Sequence, residues 1–296
     1  MIKWADVIHL TAVYSPPTIP TLLICKELKK PVIWSPRGAL QRWDGTTRKA
    51  PKKIWETICN LLCDSPRVLL HVTSEEERLD SLKRIKEIEA VVIPNGVDIN
   101  TINTSRRWKP EDKLRLIYFG RLHPIKGIEN LLHALARLDN DVSLAIYGDE
   151  DRAYQKSLAY RKSLESLTNE LSIKGRVQFH GWVNGEGKSS YFQEADVCIV
   201  PSFRENFCMV VVESLAQGVP VIVSKGAPWK QIEDVGCGLW VDNNPENLAH
   251  AIKRISHMPL PEMGLKGREW MVKEFSWTSI AAKMLGVYQE LVVKSK

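Results

Sequence analysis

The segment DVCIVPSFRENFCMVVVESLAQGVPVIVS, residues 196–224, leaves this chain few folds to adopt. Asp196 to Val200 is a short apolar, β-branched run, of the kind buried in a parallel sheet. Pro201-Ser202 ends it, and Cys208 to Gln217 then runs at helical spacing into Gly218, a C′ stop. Val219 to Val223 is a second strand-like run. Strand, helix and strand in that order form the unit of a parallel sheet with crossover helices. The same segment carries two carboxylates, Glu205 and Glu213. Glu205 falls in the loop at the carboxyl end of a strand, where open α/β sheets bind ligands, and Glu213 about two turns along the helix. Two acids so placed could hold the hydroxyls of a sugar and a ribose while first-turn amides face an anion. Spacing alone equally describes a surface helix with two ordinary glutamates.

The alternation extends over the whole chain. Val7–Leu10, Val32–Trp34, Leu69–Thr73 and Ala90–Ile93 read as strands, separated by helical runs at Pro20–Lys29, Pro51–Cys63 and Glu75–Lys86. Thr73-Ser74 before three glutamates is a helix start, with a hydroxyl cap and acids at the positive end of the dipole. Pro94-Asn-Gly-Val-Asp98 is a turn signal and Asn100–Lys113 a polar linker, which places a domain boundary there. Strands then resume at Leu114–Phe119, Ser143–Tyr147, Val177–His180 and Leu239–Val241. The accompanying helices are Ile128–Leu138, Ala153–Leu171, Pro245–Ile255 and Thr278–Val293. At 296 residues, two α/β domains can each bury a core.

Hydrophobic content of 44% and charged content of 26% are ordinary for a globular chain. No apolar run approaches the roughly 20 residues that cross a bilayer. The N-terminus lacks the apolar core and cleavage site of a signal peptide. Six scattered cysteines make no Cys-x-x-Cys pair, which argues against a zinc site or disulfide framework and fits a cytoplasmic setting. The net charge of +6 is uneven: residues 26–53 hold nine Lys/Arg against Glu27 and Asp44. That stretch fits an anionic leaflet, a phosphorylated acceptor or a plain solvated face. No aromatic-basic interleaving or helix-turn-helix pattern points to nucleic acid.

A second constellation follows the first strand of the later half, in Tyr118-Phe-Gly-Arg-Leu-His-Pro-Ile-Lys-Gly127. Arg121 and Lys126 flank a short loop into a helix. A forked guanidinium and an ammonium in a water-poor cleft suit the charge that grows on a departing diphosphate. Trp182, after the Val177–His180 strand, could offer its ring to a nucleobase or simply pack on the surface. Asp149-Glu-Asp151 contains an Asp-x-Asp, read as a solvated helix start rather than a metal site.

The pattern Pro-Ser-x-x-Glu-x7-Glu followed by Ala-x-Gly-x-Pro-Val, together with Gly-Arg-Leu-x-x-x-Lys-Gly, resembles the family 4 (group 1) glycosyltransferases, retaining enzymes of GT-B fold. The resemblance implies an α/β chain with two Rossmann-like domains, the N-terminal one incomplete: 1–98 on the acceptor side, 99–275 binding the nucleotide-sugar, and a helix 276–296 crossing back. It implies that Glu205 contacts the donor sugar, Glu213 the ribose, and Arg121 and Lys126 the diphosphate. Gly120, Trp182, Asn206, Phe207 and Cys208 join them as donor-binding candidates, with Glu205, Arg121 and Lys126 as the catalytic set and no metal or other cofactor. Arg37 and Gly38, in Trp34-Ser-Pro-Arg-Gly-Ala-Leu40, are acceptor-side candidates; His9 and His71 read as packed strand-end residues.

The implied activity is transfer of a sugar, with retention, to a glycan or lipid-linked acceptor in bacterial surface polysaccharide synthesis. The setting would be cytoplasmic, with peripheral contact on the inner membrane face as a further expectation. A GT-B sugar-nucleotide epimerase and a truncated, non-catalytic nucleotide-sugar-binding protein are the alternatives. The chain departs from the family in two ways. Cys208 stands where relatives usually have glycine, and about 80 residues of the family's first domain are missing, which would open a sheet edge at the first strand.

Overall fold

The computed structural model describes residues 2–41, 48–63, 66–99, 102, 107–149, 157–183 and 185–295. The chain divides into two compact units, one of Met1–Gly96 with Trp277–Lys296 and one of Val97–Ser276.

In the first unit, β1 (Ile8–Thr11), β2 (Val32–Ser35), β3 (Val68–Val72) and β4 (Glu89–Val92) form a parallel sheet in the order β1-β2-β3-β4. The crossovers are α1 (Thr18–Glu27), α2 (Lys49–Leu62) and α3 (Glu75–Leu82). All four β2 side chains are buried, as an inner parallel strand requires. Trp34 is fully buried because its indole N–H has a partner, the Ala12 carbonyl at 2.7 Å. Ser74 caps α3 by accepting from the Glu77 amide at 3.1 Å. The Glu77 side chain reaches back to the Thr73 amide and hydroxyl, and takes the Gly38 amide at 2.5 Å. α11 (Trp277–Lys294) belongs to this unit; Val287 and Leu291 line a shallow cavity with Val68, Leu69 and Ala90.

In the second unit, six parallel strands stand in the order β10-β9-β8-β5-β6-β7. They are β5 (Leu114–Phe119), β6 (Val142–Tyr147), β7 (Val177–His180), β8 (Val197–Val200), β9 (Val221–Ser224) and β10 (Gly238–Val241). The helices between them are α4 (Ile128–Leu135), α5 (Ser157–Glu170), α6 (Gly185–Glu194), α7 (Met209–Ala216) and α8 (Gln231–Val235), followed by α9 (Pro245–Ile255) and α10 (Leu260–Trp270). Alternate side chains of one strand feed separate cores. Leu114, Leu116 and Tyr118 enter the core on one face, and Ile117 and Phe119 the core on the other. α7 ends as Gly218, at φ +69°, lets the Val219 amide reach the Ser214 carbonyl at 3.0 Å.

The chain therefore has the expected α/β architecture, with parallel sheets of four and six strands. Helices α6, α8 and α10 were not expected from the sequence. α6 and α10 arise from stretches that carry two glycines each, and α7 begins at Met209, so Glu213 sits one turn into it rather than two. None of the six cysteines is in a disulfide. No helix among the described residues is long and apolar enough to cross a membrane.

Candidate active site

The strand order of the second unit reverses between β5 and β8. Connections from β5 lead outward to β6 and β7, whereas β8 leads the opposite way to β9 and β10. The crevice beyond the carboxyl ends at such a switch point is where open α/β sheets hold ligands. The two loops singled out in the sequence leave these two strands: residues 120–127 after β5 and 201–208 after β8.

The loops are stitched together by main-chain bonds. The Phe203 amide donates to the Ile125 carbonyl at 2.8 Å, and the Asn243 side-chain amide, itself close to Asn130, takes the Pro201 carbonyl at 2.5 Å. Gly127 sits at φ +64°, and a Cβ there would lie 2.1 Å from the Pro201 carbonyl oxygen, so only glycine lets the loops approach this closely. On the other side, the Glu205 amide donates to the Gly226 carbonyl at 2.8 Å, the Ser224 hydroxyl to the Ser202 carbonyl and the Trp229 indole to the Phe207 carbonyl. The acid loop is thus held from three directions before any ligand arrives.

Two ion pairs result. Lys126 Nζ lies 2.5 Å from Glu205 Oε1, both side chains being less than one-fifth exposed, and the Ser202 hydroxyl donates to the same oxygen at 2.6 Å. Glu213 pairs through Oε2 with Lys188 of α6, whose ammonium stands 5.0 Å above the Phe119 ring and 5.8 Å from that of Phe192. Close to the second pair lies Cys198 of β8, whose thiol burial pushes up to about 12 and which feels both Lys188 and Glu213. The Tyr118 hydroxyl donates to the Arg121 carbonyl at 3.1 Å. Its pKa is driven well up by burial and then by the Glu205 charge, with Arg121 opposing, so guanidinium and carboxylate act on one small volume.

Lys126, Glu205, Asn206 and Cys208 come together on the two loops, Gly120 begins the first of them, and Arg121 is exposed beside it. Glu213 joins through α7. Phe207 is turned into the core, edge-on to Trp229 at 5.2 Å, which leaves a ligand only its backbone. Cys208 adopts φ +70° and ψ +77°, the left-handed region that favours glycine, and burial and then Glu205 raise its thiol well above the usual range. Trp182 is 64% exposed and follows β7, two strands from the switch point. Of the Asp-x-Asp, Glu150 and Asp151 lie outside the described residues. Lys188, Ser202 and Asn243 were not singled out in the sequence.

Arg37 and Gly38 belong to the first unit. Both have positive φ, and an Arg37 N–H donates to Asn95 Oδ1 at 2.5 Å. His9 and His71 are joined through a hydroxyl: His9 Nε2 is 2.7 Å and His71 Nδ1 2.8 Å from Ser35 Oγ. His71 is buried as expected; His9 is exposed and is held by Tyr288 at 2.6 Å.

The sequence model of the family described as "Glycosyl transferases group 1" matches residues 101–270. An uncharacterized glycosyltransferase of Methanocaldococcus jannaschii is 31% identical over 249 residues, covering 76% of this chain and 60% of the relative. The GDP-mannose-dependent alpha-(1-6)-phosphatidylinositol dimannoside mannosyltransferase of Mycobacterium tuberculosis is 28% identical over 228 residues, covering 73% of this chain and 56% of the relative. The chain thus spans three-fifths or less of the length of these two relatives. Among solved structures, sucrose-phosphate synthase from Thermosynechococcus elongatus superposes with a TM-score of 0.80 at 24% identity, over 98% of this chain and 75% of that one. Anabaena HepE in complex with UDP gives a TM-score of 0.80 at 17% identity, over 96% of this chain and 79% of that one.

Proposed function

Because the chain belongs to the group 1 glycosyltransferases, we propose that it takes a nucleotide-sugar donor at the β5/β8 switch point and transfers the sugar, with retention as in family 4, to a glycan or lipid-linked acceptor. The observation that carries this reading is the pair Lys126–Glu205 beside the pair Lys188–Glu213, two acids and two cations set at the carboxyl ends of adjacent strands. The names of relatives support a nucleotide-linked donor: one uses GDP-mannose, and HepE was captured with UDP and with UDP-glucose.

Each group has work suited to its chemistry. Arg121 and Lys126 meet the charge that grows on the departing diphosphate, where a preorganised cation needs no solvent rearrangement. The amides of residues 206–208 supply further donors to the phosphates. Glu205, released from Lys126 as phosphate takes over the ammonium, turns its oxygens to the sugar hydroxyls. Glu213 grips the ribose. Attack comes from the face the leaving group departs, with neither a protein nucleophile nor a metal. The two acids therefore need not flank the scissile bond as in a retaining glycosidase. Arg37 and Gly38 serve the acceptor, and the basic residues of 26–53 hold the chain against an anionic leaflet, in a role in bacterial surface polysaccharide synthesis.

The test is thermal stability against UDP, GDP, ADP, CMP and TDP, with and without EDTA, using Glu213→Ala as control. A nucleotide at 100 times its dissociation constant stabilises by about 2.7 kcal/mol. A shift with one base, indifferent to EDTA and lost in the variant, is expected. No shift with any nucleotide overturns the donor site.

A further inference from the structure

Helix α2 buries a mixed face: Cys59 is fully buried, Trp55 and Leu62 pack against the core of the first unit, and polar groups are turned inward beside them. Glu56 is buried and accepts from the Tyr14 hydroxyl, and the Asn60 side chain donates to the Arg84 carbonyl at 2.8 Å and accepts from the Lys86 amide at 2.7 Å. Trp55 reaches the Val13 carbonyl through its indole N–H at 2.8 Å. The opposite face carries Ile54, Ile58 and Leu61, at 65%, 38% and 70% exposure, in one stripe at i, i+4 and i+7. Aliphatic side chains at this spacing normally make the buried face of a helix; here they look out.

The surroundings of the stripe are basic. Arg48, Lys49 and Lys53 are exposed at the start of α2. The neighbouring α1 contributes exposed Lys26, whose ammonium reaches the Leu61 carbonyl at 2.7 Å and ties the end of α2 to it, with exposed Leu23 one turn before. Among the described residues of α1 and α2 the acids are Glu27, which is exposed, and Glu56, which is turned inward. Arg42 and Asp44 lie outside the described residues. An outward aliphatic stripe flanked by lysines is the form of a helix that lies in a lipid interface, with side chains among the acyl chains and ammonium groups at the headgroups.

We propose that α2 lays Ile54, Ile58 and Leu61 into an anionic leaflet, with Lys26, Lys49 and Lys53 on its headgroups. This rests on the leaflet contact proposed above and gives it a face and a depth. A protein partner would fit the apolar stripe equally well but would not account for the excess of positive charge around it.

The experiment is co-sedimentation of the full chain with phosphatidylglycerol-containing and pure phosphatidylcholine vesicles, for the parent, Ile54→Asp/Leu61→Asp and Lys49→Glu/Lys53→Glu. Circular dichroism and Tm verify folding, since all four positions are exposed. Preferential binding to the anionic vesicles is expected, weakened about tenfold or more in each double variant. Binding that survives Ile54→Asp/Leu61→Asp and vanishes at about 0.5 M salt would leave the charge contact standing and overturn the α2 insertion. No vesicle binding would overturn both. Light scattering that shows a dimer of the parent dissociating in Ile54→Asp/Leu61→Asp would overturn the α2 insertion, because the stripe then covers a second copy.

Discussion

Lys126 and Glu205 are 79 residues apart in sequence and 2.5 Å apart in space, and neither is more than one-fifth exposed. Each offsets the desolvation of the other, so removing one strands a partly buried charge. In the function proposed above, the pair also holds the lysine where the donor diphosphate would displace the carboxylate.

Lys126→Met should therefore act on the chemical step more than on donor capture. Loss of one preorganised donor to a departing group lowers kcat by about 10²–10³-fold. Steady-state kinetics with the donor named by the nucleotide screen will measure it. A variant with an unchanged kcat removes Lys126 from the leaving group.

Cys208 makes a prediction about backbone strain. At φ +70° a side chain costs roughly 1–2 kcal/mol, while glycine costs about 0.5–1 kcal/mol in chain entropy. Cys208→Gly should accordingly be neutral or stabilising by up to about 1 kcal/mol. Cys208→Val, β-branched in the same conformation, should destabilise. Urea unfolding of the three proteins should rank them glycine, cysteine, valine; valine at or above cysteine would mean the strain is absent.

The parallel architecture was legible because β-branched runs and helical runs alternate so regularly, and the two candidate loops because each leaves the carboxyl end of a strand-like run; the reversal of strand order between them was not. Nor was helix α10. Gly264 and Gly267 weaken its pattern, yet a Cβ at the latter would lie 2.7 Å from Leu215, so they serve the close packing of α10 on α7, a long-range reason no local window contains. Lys188 was missed with α6, whose GEGKSSYFQE carries apolar side chains only at Tyr191 and Phe192. Periodicity located α2, but it cannot say that the apolar stripe points outward. That depends on long-range partners: the core under Cys59 and Trp55, and Tyr14, Arg84 and Lys86, which meet Glu56 and Asn60.

The buried thiols predict an alkaline limit. Cys59, Cys198 and Cys237 are fully buried, and each pKa is pushed up to about 12, in every case chiefly by burial. The unfolded chain releases these protons near the usual 9 while the folded chain keeps them. Their stabilising contribution is present below pH 9 and is lost as pH rises toward 12, each at up to about 1.4 kcal/mol per pH unit. Unfolding free energies between pH 8 and about 10.5 should fall less steeply in Cys59→Ala than in the parent. Equal slopes would mean that Cys59 ionises in the folded chain as it does in the unfolded one.

The histidine chain of the first unit predicts the acid limit. The Ile93 carbonyl, 2.9 Å from His71 Nε2, can only accept, so that nitrogen carries the proton and Nδ1 accepts from Ser35. Ser35 then accepts from His9 Nε2, and Tyr288 donates to His9 Nδ1, a directional chain of neutral rings. Burial is the largest cause lowering both histidine pKa values below the usual 6.5. His71 and Arg37 also push His9 down, and Arg37 opposes the Ile93 bond and the Glu77 charge at His71. The unfolded chain takes up protons below 6.5 that the folded chain refuses, so this stability is present above 6.5 and lost as pH falls. His71→Gln removes one such group, and its unfolding free energy should depend less steeply on pH from 6.5 downward, by up to about 1.4 kcal/mol per pH unit. Parallel curves for parent and variant would show that His71 takes up its proton alike in the folded and unfolded chain.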